Sequence, residues 1–384
     1  MTPTDPAFLD EVGRWRRHLH AHPDLSGGEA ATAAFVSAKL TELGIPHDTG
    51  IGGHGVVASL HRPGSNRSVG LRADMDALPI AEANRFSHAS RNPGAMHACG
   101  HDGHTAALLG AAAVLASDPD WRGTVNLIFQ PAEENGQGAK AMIADGLFER
   151  YPTERLFAWH NWPGCPEGTV AVHTRPSMAA GGDWRVELRG IAGHAAAPHT
   201  TRDPITAAAH LVIALNSIVA RNVDPLDTVA LTVAMVHGGS VSNQIPETAT
   251  LVGTLRTFDA EVREAVIARM REVIEGTAAA LGVKADYEIN STGRVVADTP
   301  AEAALSVAAA EAAGLAVTRD IRPVMGGDDF AFLVEGRLGA YVFIGNGPVL
   351  NDGKLHNERY EFNDAVLAPA IGWMTSVARM ALTE

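Results

Sequence analysis

Cysteine is nearly missing from this chain of 384 residues: Cys99 and Cys165 are its two examples, too few for a disulfide framework. Long apolar runs are missing as well. No stretch reads as the roughly 18 consecutive apolar residues of a membrane span, and the opening "MTPTDPAFLDEVGRWRRHLH" has charges without the apolar core of a secretory signal. The expectation is therefore a cytoplasmic protein with no membrane partner. Dense Lys/Arg clusters are also lacking: 30 basic against 44 acidic residues give a formal net charge of -14, so nucleic acid is not an expected partner. Internal repeats and low-complexity tracts are absent apart from alanine-rich helices. What is present is 46% hydrophobic residues, in a chain long enough for two domains.

The first half alternates helical stretches with short β-rich apolar runs, the pattern of an α/β domain built on a mixed, mainly parallel sheet. Several of these runs end in groups able to do chemistry. "SVGLRADMDALP" reads as a strand ending near Arg72 and followed by Asp74 and Asp76. "TVNLIFQPAEE" ends near Gln130 and delivers Glu133 and Glu134; "RLFAWHNWP" ends in His160; "AYVFIGNG" is followed after a loop by His356. Ligands in open α/β sheets bind outside the carboxyl ends of the strands, so these residues can converge despite their separation in sequence.

The densest cluster is "MHACGHDGHTA", residues 96–106. Alternate residues of an extended segment share a face, so Cys99 and His101 are expected to grip one site. A helix is expected from about Gly103, with Asp102 and His104 at its N-terminus and His97, Asp102 and His104 in supporting roles. Thiolate with imidazole suits zinc and its neighbours better than calcium or magnesium. Glu133 and Glu134 are expected to point in opposite directions from an extended backbone, one toward metal and the other toward substrate, and the spacing leaves open which does which. Metallohydrolases use such a carboxylate to take a proton from water and deliver it to a leaving amine.

Residues 180–291 read as β-α-β-β-α-β, the order of a ferredoxin-like α+β unit. Because His356 has to return to the first-half site, this unit reads as an insertion. The catalytic domain is then discontinuous, residues 1–179 with 292–384, and the crossings near "SMAAGG" and "NSTGR" are expected hinges. The inserted unit contributes His194 and His199 in a loop, Asn243 in "GGSVSNQIPE" and Arg256 in "GTLRTFD"; an amide or a guanidinium suits a developing oxyanion or a substrate carboxylate.

Taken in series, "RRHLHAHPDLSGGEAATAAFVSAKLTELG", "RADMDALPI", "MHACGHDGHTA", "FQPAEE", "AGHAAAPH", "NQIPETATLVGTLRTF" and "HNERYEFND" resemble the M20 metallopeptidase family. The likeness is to its amidohydrolase branch of hippurate hydrolases, N-acyl-amino-acid amidohydrolases and auxin-conjugate hydrolases. The resemblance implies a zinc-exopeptidase-type catalytic domain with an inserted lid and dimerisation domain, and a homodimer. It further implies two divalent ions per subunit, zinc, manganese, cobalt or nickel, with Cys99 bridging and His101, Glu134, His160 and His356 completing the ligand set. Glu133 becomes the general base, Asp74 a support for the metal centre, His194 the oxyanion stabiliser, and Asn243 and Arg256 substrate contacts. The implied reaction is hydrolysis of the amide bond of N-acyl or N-aroyl amino acids. A dipeptidase, aminopeptidase or carbamoylase on the same scaffold is the second reading, and a non-catalytic metal- or peptide-binding relative the third. "GGDDF" departs from the family in placing Asp328 where relatives usually carry glutamate, which bears on specificity if that position touches substrate.

Overall fold

The computed structural model describes residues 2–291, 293–319, 321–350 and 352–383. It divides into two compact units. The first comprises Met1–Ser177, Ala297–Arg322 and Asp328–Glu384; the second comprises Met178–Val296 and Pro323–Gly327.

The first unit is built on an eight-stranded sheet in the order His47–Ile51, Gly55–Arg62, Gly123–Gln130, Ser68–Asp74, Arg155–Trp162, Leu338–Gly345, Val170–Ala171, Val317–Thr318. Its four central strands run parallel, while antiparallel pairings occur toward the flanks. Near-continuous burial along those central strands accounts for their unbroken apolar runs, as expected for parallel strands covered on both faces. The carboxyl ends of Ser68–Asp74 and Gly123–Gln130 lie in register, Asp74 opposite Gln130. Polar groups that follow these strands therefore emerge together.

The helix His101–Ser117 is buried along every residue from His101 to Leu115. Small side chains permit this close packing: a Cβ on Gly103 would run into the ring of Phe362. Helices Pro6–Ala21 and Leu367–Ala381 pack against it, and their buried residues join the strands in one core.

The second unit holds a four-stranded antiparallel sheet in the order Lys284–Asn290, Ala180–Arg189, Thr248–Thr257, Val229–Gly238, with helices Pro204–Asn222 and Ala260–Ala280. Thr248–Thr257 alternates buried and half-buried residues, which is the signature of a sheet with one face on a core. The element order β-α-β-β-α-β and the interleaved strand order are those of a ferredoxin-like fold. One expectation is corrected here. Pro204–Asn222 is long and apolar enough to match a membrane span by length and composition, because alanine and aliphatic residues fill it. In this fold its residues Ala207, Ala208, Leu211, Leu215 and Ile218 are buried in the second core, and Asp203 caps its first turn by accepting from the Ile205 N–H.

Candidate metal centre

Three donor groups converge beyond the strand ends of the first unit: Cys99, His101 and His160; Cys99, Glu134 and His356; and His101, Glu133 and Glu134 each bring ligand atoms within 4.8 Å of one another. Cys99 Sγ lies 3.3 Å from His160 Nε2. His101 Nε2 lies 3.8 Å from Glu134 and 4.0 Å from Glu133, and His356 Nε2 lies 3.4 Å from Glu134.

Local structure differs from the extended Cys-Gly-His segment expected of the sequence. Gly100 adopts φ 96° and serves as N-cap of the helix, so His101, rather than Gly103, is the first helical residue. Only glycine fits: a Cβ here would collide with Asn161 Oδ1 and the Tyr360 hydroxyl. The glutamates also differ from expectation. Ala132 has φ 53°, a left-handed conformation that costs a non-glycine residue about 1 to 2 kcal/mol, and the chain turns there instead of continuing extended. Glu133 and Glu134 consequently both approach His101 rather than pointing apart. His356 is a second left-handed residue, φ 62°, tied to the cluster by its N–H donating to the Ala98 oxygen at 2.8 Å. Two such outliers at one cluster are typical of a site whose surroundings over-determine its backbone.

Hydrogen bonding fixes which imidazole nitrogens are free. His101 Nδ1 donates to the Asp76 main-chain oxygen at 2.9 Å, and His160 Nδ1 donates to that of Asn161 at 2.7 Å. Both Nε2 atoms are therefore the ones turned to the carboxylate and thiol donors, the arrangement that orients histidine as a ligand. His101 Nε2, Glu134 Oε1 and Asp76 Oδ1 are buried without hydrogen-bond partners. The electrostatics agree. Burial and then the Glu134 and Glu133 carboxylates push the Cys99 thiol well up, and burial with Asp328, Glu134 and Asp329 does the same to Glu133. Burial opposes a charge on His101, but Asp74, Asp76 and Glu134 outweigh it and lift its pKa to about 10, so these carboxylates hold a proton on Nε2 at the place where a bound cation would displace it. A concentration of negative charge with unpartnered N, O and S donors fits a divalent cation.

Asp74 lies beneath this cluster, its Oδ1 2.6 Å from His104 Nδ1 and its Oδ2 3.7 Å from His101 Nε2. His104 uses its other nitrogen on Asn161, 2.7 Å away, so it braces the site. Asp102 faces away from the donors toward His20, at 2.9 Å, and Arg16, at 3.6 Å. His97 is buried with neither ring nitrogen hydrogen-bonded, and burial lowers its pKa to about 4, so it packs as a neutral ring.

Several participants were not visible in the sequence. Arg72, fully buried, donates to Gln130 at 2.9 Å, to Asp74 at 2.7 Å and to Asp329 at 3.2 Å, and pairs with Asp328 at 3.1 Å. Asp328 is thereby committed: it also accepts from the Tyr341 hydroxyl at 2.6 Å and the Phe330 N–H at 2.8 Å. "RAD" was a signal, since residues two apart on a strand share a face, but the sequence does not reveal the distant carboxylates.

His194, Asn243 and Arg256 belong to the second unit. The first two are brought together: Gly193–His194 pairs with Gln244–Ile245, and the Ala195 N–H donates to the Asn243 oxygen. His194 Nδ1 accepts from the Ala196 N–H at 3.0 Å, which leaves the ring proton on exposed Nε2. His199 is exposed in the turn Pro198–Thr200. Arg256 stands apart on the main sheet and donates to the Gly182 and Leu255 oxygens.

A parallel-centred α/β sheet whose strand ends gather thiol, imidazole and carboxylate donors defines a metal-binding hydrolase. The chain belongs to peptidase family M20/M25/M40, whose model matches residues 70–380. It is 39% identical over 382 residues to a hippurate hydrolase of Campylobacter jejuni, covering 97% of this chain and 98% of that one. It is 40% identical over 368 residues to an N-acetyl-L-cysteine deacetylase of Bacillus subtilis, covering 96% and 87%. Among solved structures, a Bacillus subtilis protein described as a dinuclear metal binding peptidase from the M20 family superposes with a TM-score of 0.85 at 31% identity, covering 99% of each chain.

Proposed function

We propose that this protein hydrolyses the amide bond of N-acyl amino acids, giving a carboxylate and a free amino acid. The observation that carries the reading is the convergence of Cys99, His101, His160, Glu134 and His356 donor atoms beside a second carboxylate, Glu133. These five would hold two divalent ions. When bound, such ions supply Lewis acidity to the scissile carbonyl and to the attacking water.

The chain's own groups do the rest. Glu133 takes the proton from water and delivers it to the leaving nitrogen, which is why a carboxylate beyond those needed as ligands stands in the cluster. Asp74 orients His101 and His104 from below. His194, with its proton on Nε2, donates to the developing oxyanion. Asn243 and Arg256 contact the substrate amide and carboxylate. Support for an N-acyl amino acid comes from the hippurate hydrolase and deacetylase relatives.

We further assign the protein to the cytoplasm as a homodimer. Both cysteines are free and buried, as suits a reducing compartment. Val229–Gly238 is one of the two edge strands of the second unit's sheet and is largely exposed, with Met235 and Val236 about half exposed. An unprotected edge of this kind pairs readily with its own copy across a two-fold axis. Light scattering that gives the mass of one chain would remove the dimer from this account. The reaction is tested by a panel of N-acetyl and N-benzoyl amino acids, dipeptides and N-carbamoyl amino acids: preference for the acyl amino acids supports it, and preference for either other class replaces it.

A further inference from the structure

The segment "HPDLSGGE", His22–Glu29, has no part in the reaction as described, yet it carries a buried carboxylate that its own helix does not use. Glu29 has no exposed surface. It immediately precedes the helix Ala30–Glu42 but makes no side-chain cap to it; Asp24 instead reaches the first turn, accepting from the Thr32 N–H at 2.8 Å. Glu29 Oε1 accepts from the Gly27 N–H and from the Ala132 N–H, each at 2.8 Å. Ala132 is the left-handed residue that directs Glu133 and Glu134 into the cluster, and its oxygen accepts from the Gly138 N–H at 3.0 Å. The same loop reaches the second glutamate. Ser26 donates to Asp76 Oδ2 at 2.6 Å, and that oxygen accepts from the Glu134 N–H at 3.0 Å.

A buried carboxylate is unfavourable unless its hydrogen bonds are satisfied, and Glu29 Oε2 has no hydrogen-bond partner. A methionine in its place would suit an apolar interior better. What methionine lacks is the acceptor on the Ala132 N–H. We propose that Glu29 is a positioning residue: its carboxylate holds Ala132 in the left-handed turn, and so places Glu133 for proton transfer and Glu134 for metal binding. This rests on the roles given above to those two glutamates. Glu29 touches neither substrate nor ligand atoms and acts through the backbone.

Three variants test it in the full-length, metal-loaded protein: Glu29→Met, which fills the space without an acceptor; Glu29→Gln, which keeps the acceptor oxygen; and Glu29→Met with Ala132→Gly, where glycine adopts positive φ freely. Turnover of an N-acetyl amino acid is measured beside metal content, thermal midpoint and hydrogen–deuterium exchange of residues 131–138. Glu29→Met should lower kcat about 10- to 100-fold with KM changed less than about threefold. Its thermal midpoint should hold or rise while exchange at 131–138 quickens. Glu29→Gln should recover most of the lost turnover, and Ala132→Gly part of it. Wild-type kcat and exchange in Glu29→Met overturn the proposal, as does equal loss in Glu29→Met and Glu29→Gln with 131–138 still protected. If the wild-type protein hydrolyses no acyl amino acid, the reaction assignment fails, whereas the exchange comparison still decides whether Glu29 holds the turn.

Discussion

Arg72 and Asp74 project from the same face of one strand and meet at 2.7 Å with neither side chain exposed to solvent. This pair is the lower support of the candidate metal centre. Asp74 spends its other oxygen on His104, and Arg72 spends its remaining donors on Gln130, Asp328 and Asp329. Burial disfavours the charge on both groups, but the surrounding opposite charges hold the arginine protonated and the aspartate ionised.

Removing the arginine should strip the shared cation from three buried carboxylates, Asp74, Asp328 and Asp329. Arg72→Met is expected to lose about 3 to 5 kcal/mol of stability, measured by denaturant unfolding. A loss below about 1 kcal/mol would mean that the carboxylates become protonated or solvated at little cost.

Asp74→Asn tests the other half of the pair. The amide keeps the shape but removes the charge beside His101 and His104, so metal affinity should fall about 10- to 100-fold, as for other groups that orient ligands. Titration of the chelator-stripped protein with zinc or manganese reads this directly, and unchanged affinity would relegate Asp74 to packing.

The His20–Asp102 contact gives a pH dependence away from the donor atoms. Burial opposes the charge on His20, but Asp102 and Glu82 prevail and lift its pKa to about 9. A raised histidine stabilises the fold fully below its unfolded pKa, near 6.5, and that stability is lost as pH rises through about 9. The difference is on the order of 3 kcal/mol. His20→Gln should therefore flatten the fall in urea midpoint between pH 6.5 and 9.5. A variant whose midpoint falls as steeply as that of the wild type would show that other groups carry the dependence.

Gly100 is predicted to be intolerant. Alanine there must hold φ 96° and overlap Asn161 and Tyr360, so Gly100→Ala should lose at least about 2 kcal/mol and bind less metal per chain. Thermal unfolding and metal analysis of the purified variant check both.

Much of this architecture is legible in the amino-acid sequence. The strands ahead of Asp74 and Gln130, the donor types that follow them and the element order of the second unit all follow from periodicity and punctuation, which are local properties. Three features were not readable, each for a physical reason. His101 opens its helix because Gly100 turns left-handed, and a Cys-Gly-His triplet does not declare that turn. Glu133 and Glu134 converge because Ala132 takes a conformation that alanine disfavours, so propensity points the wrong way. Arg72 meets Gln130 and Asp329 across 58 and 257 residues of sequence, separations at which no local pattern operates. Asp328 illustrates the consequence: the sequence marks it only as a departure from relatives, whereas the structure makes it a buried partner of Arg72 and Tyr341.

The central claim is that Glu133 performs proton transfer in a metal-dependent amide hydrolysis, and Glu133→Gln tests it most directly. The variant should keep the wild-type metal content, because its five proposed ligands are untouched, and should lose about 10²- to 10⁴-fold in kcat toward an N-acyl amino acid that the wild type cleaves. A Glu133→Gln protein with full metal content and wild-type turnover would contradict the account.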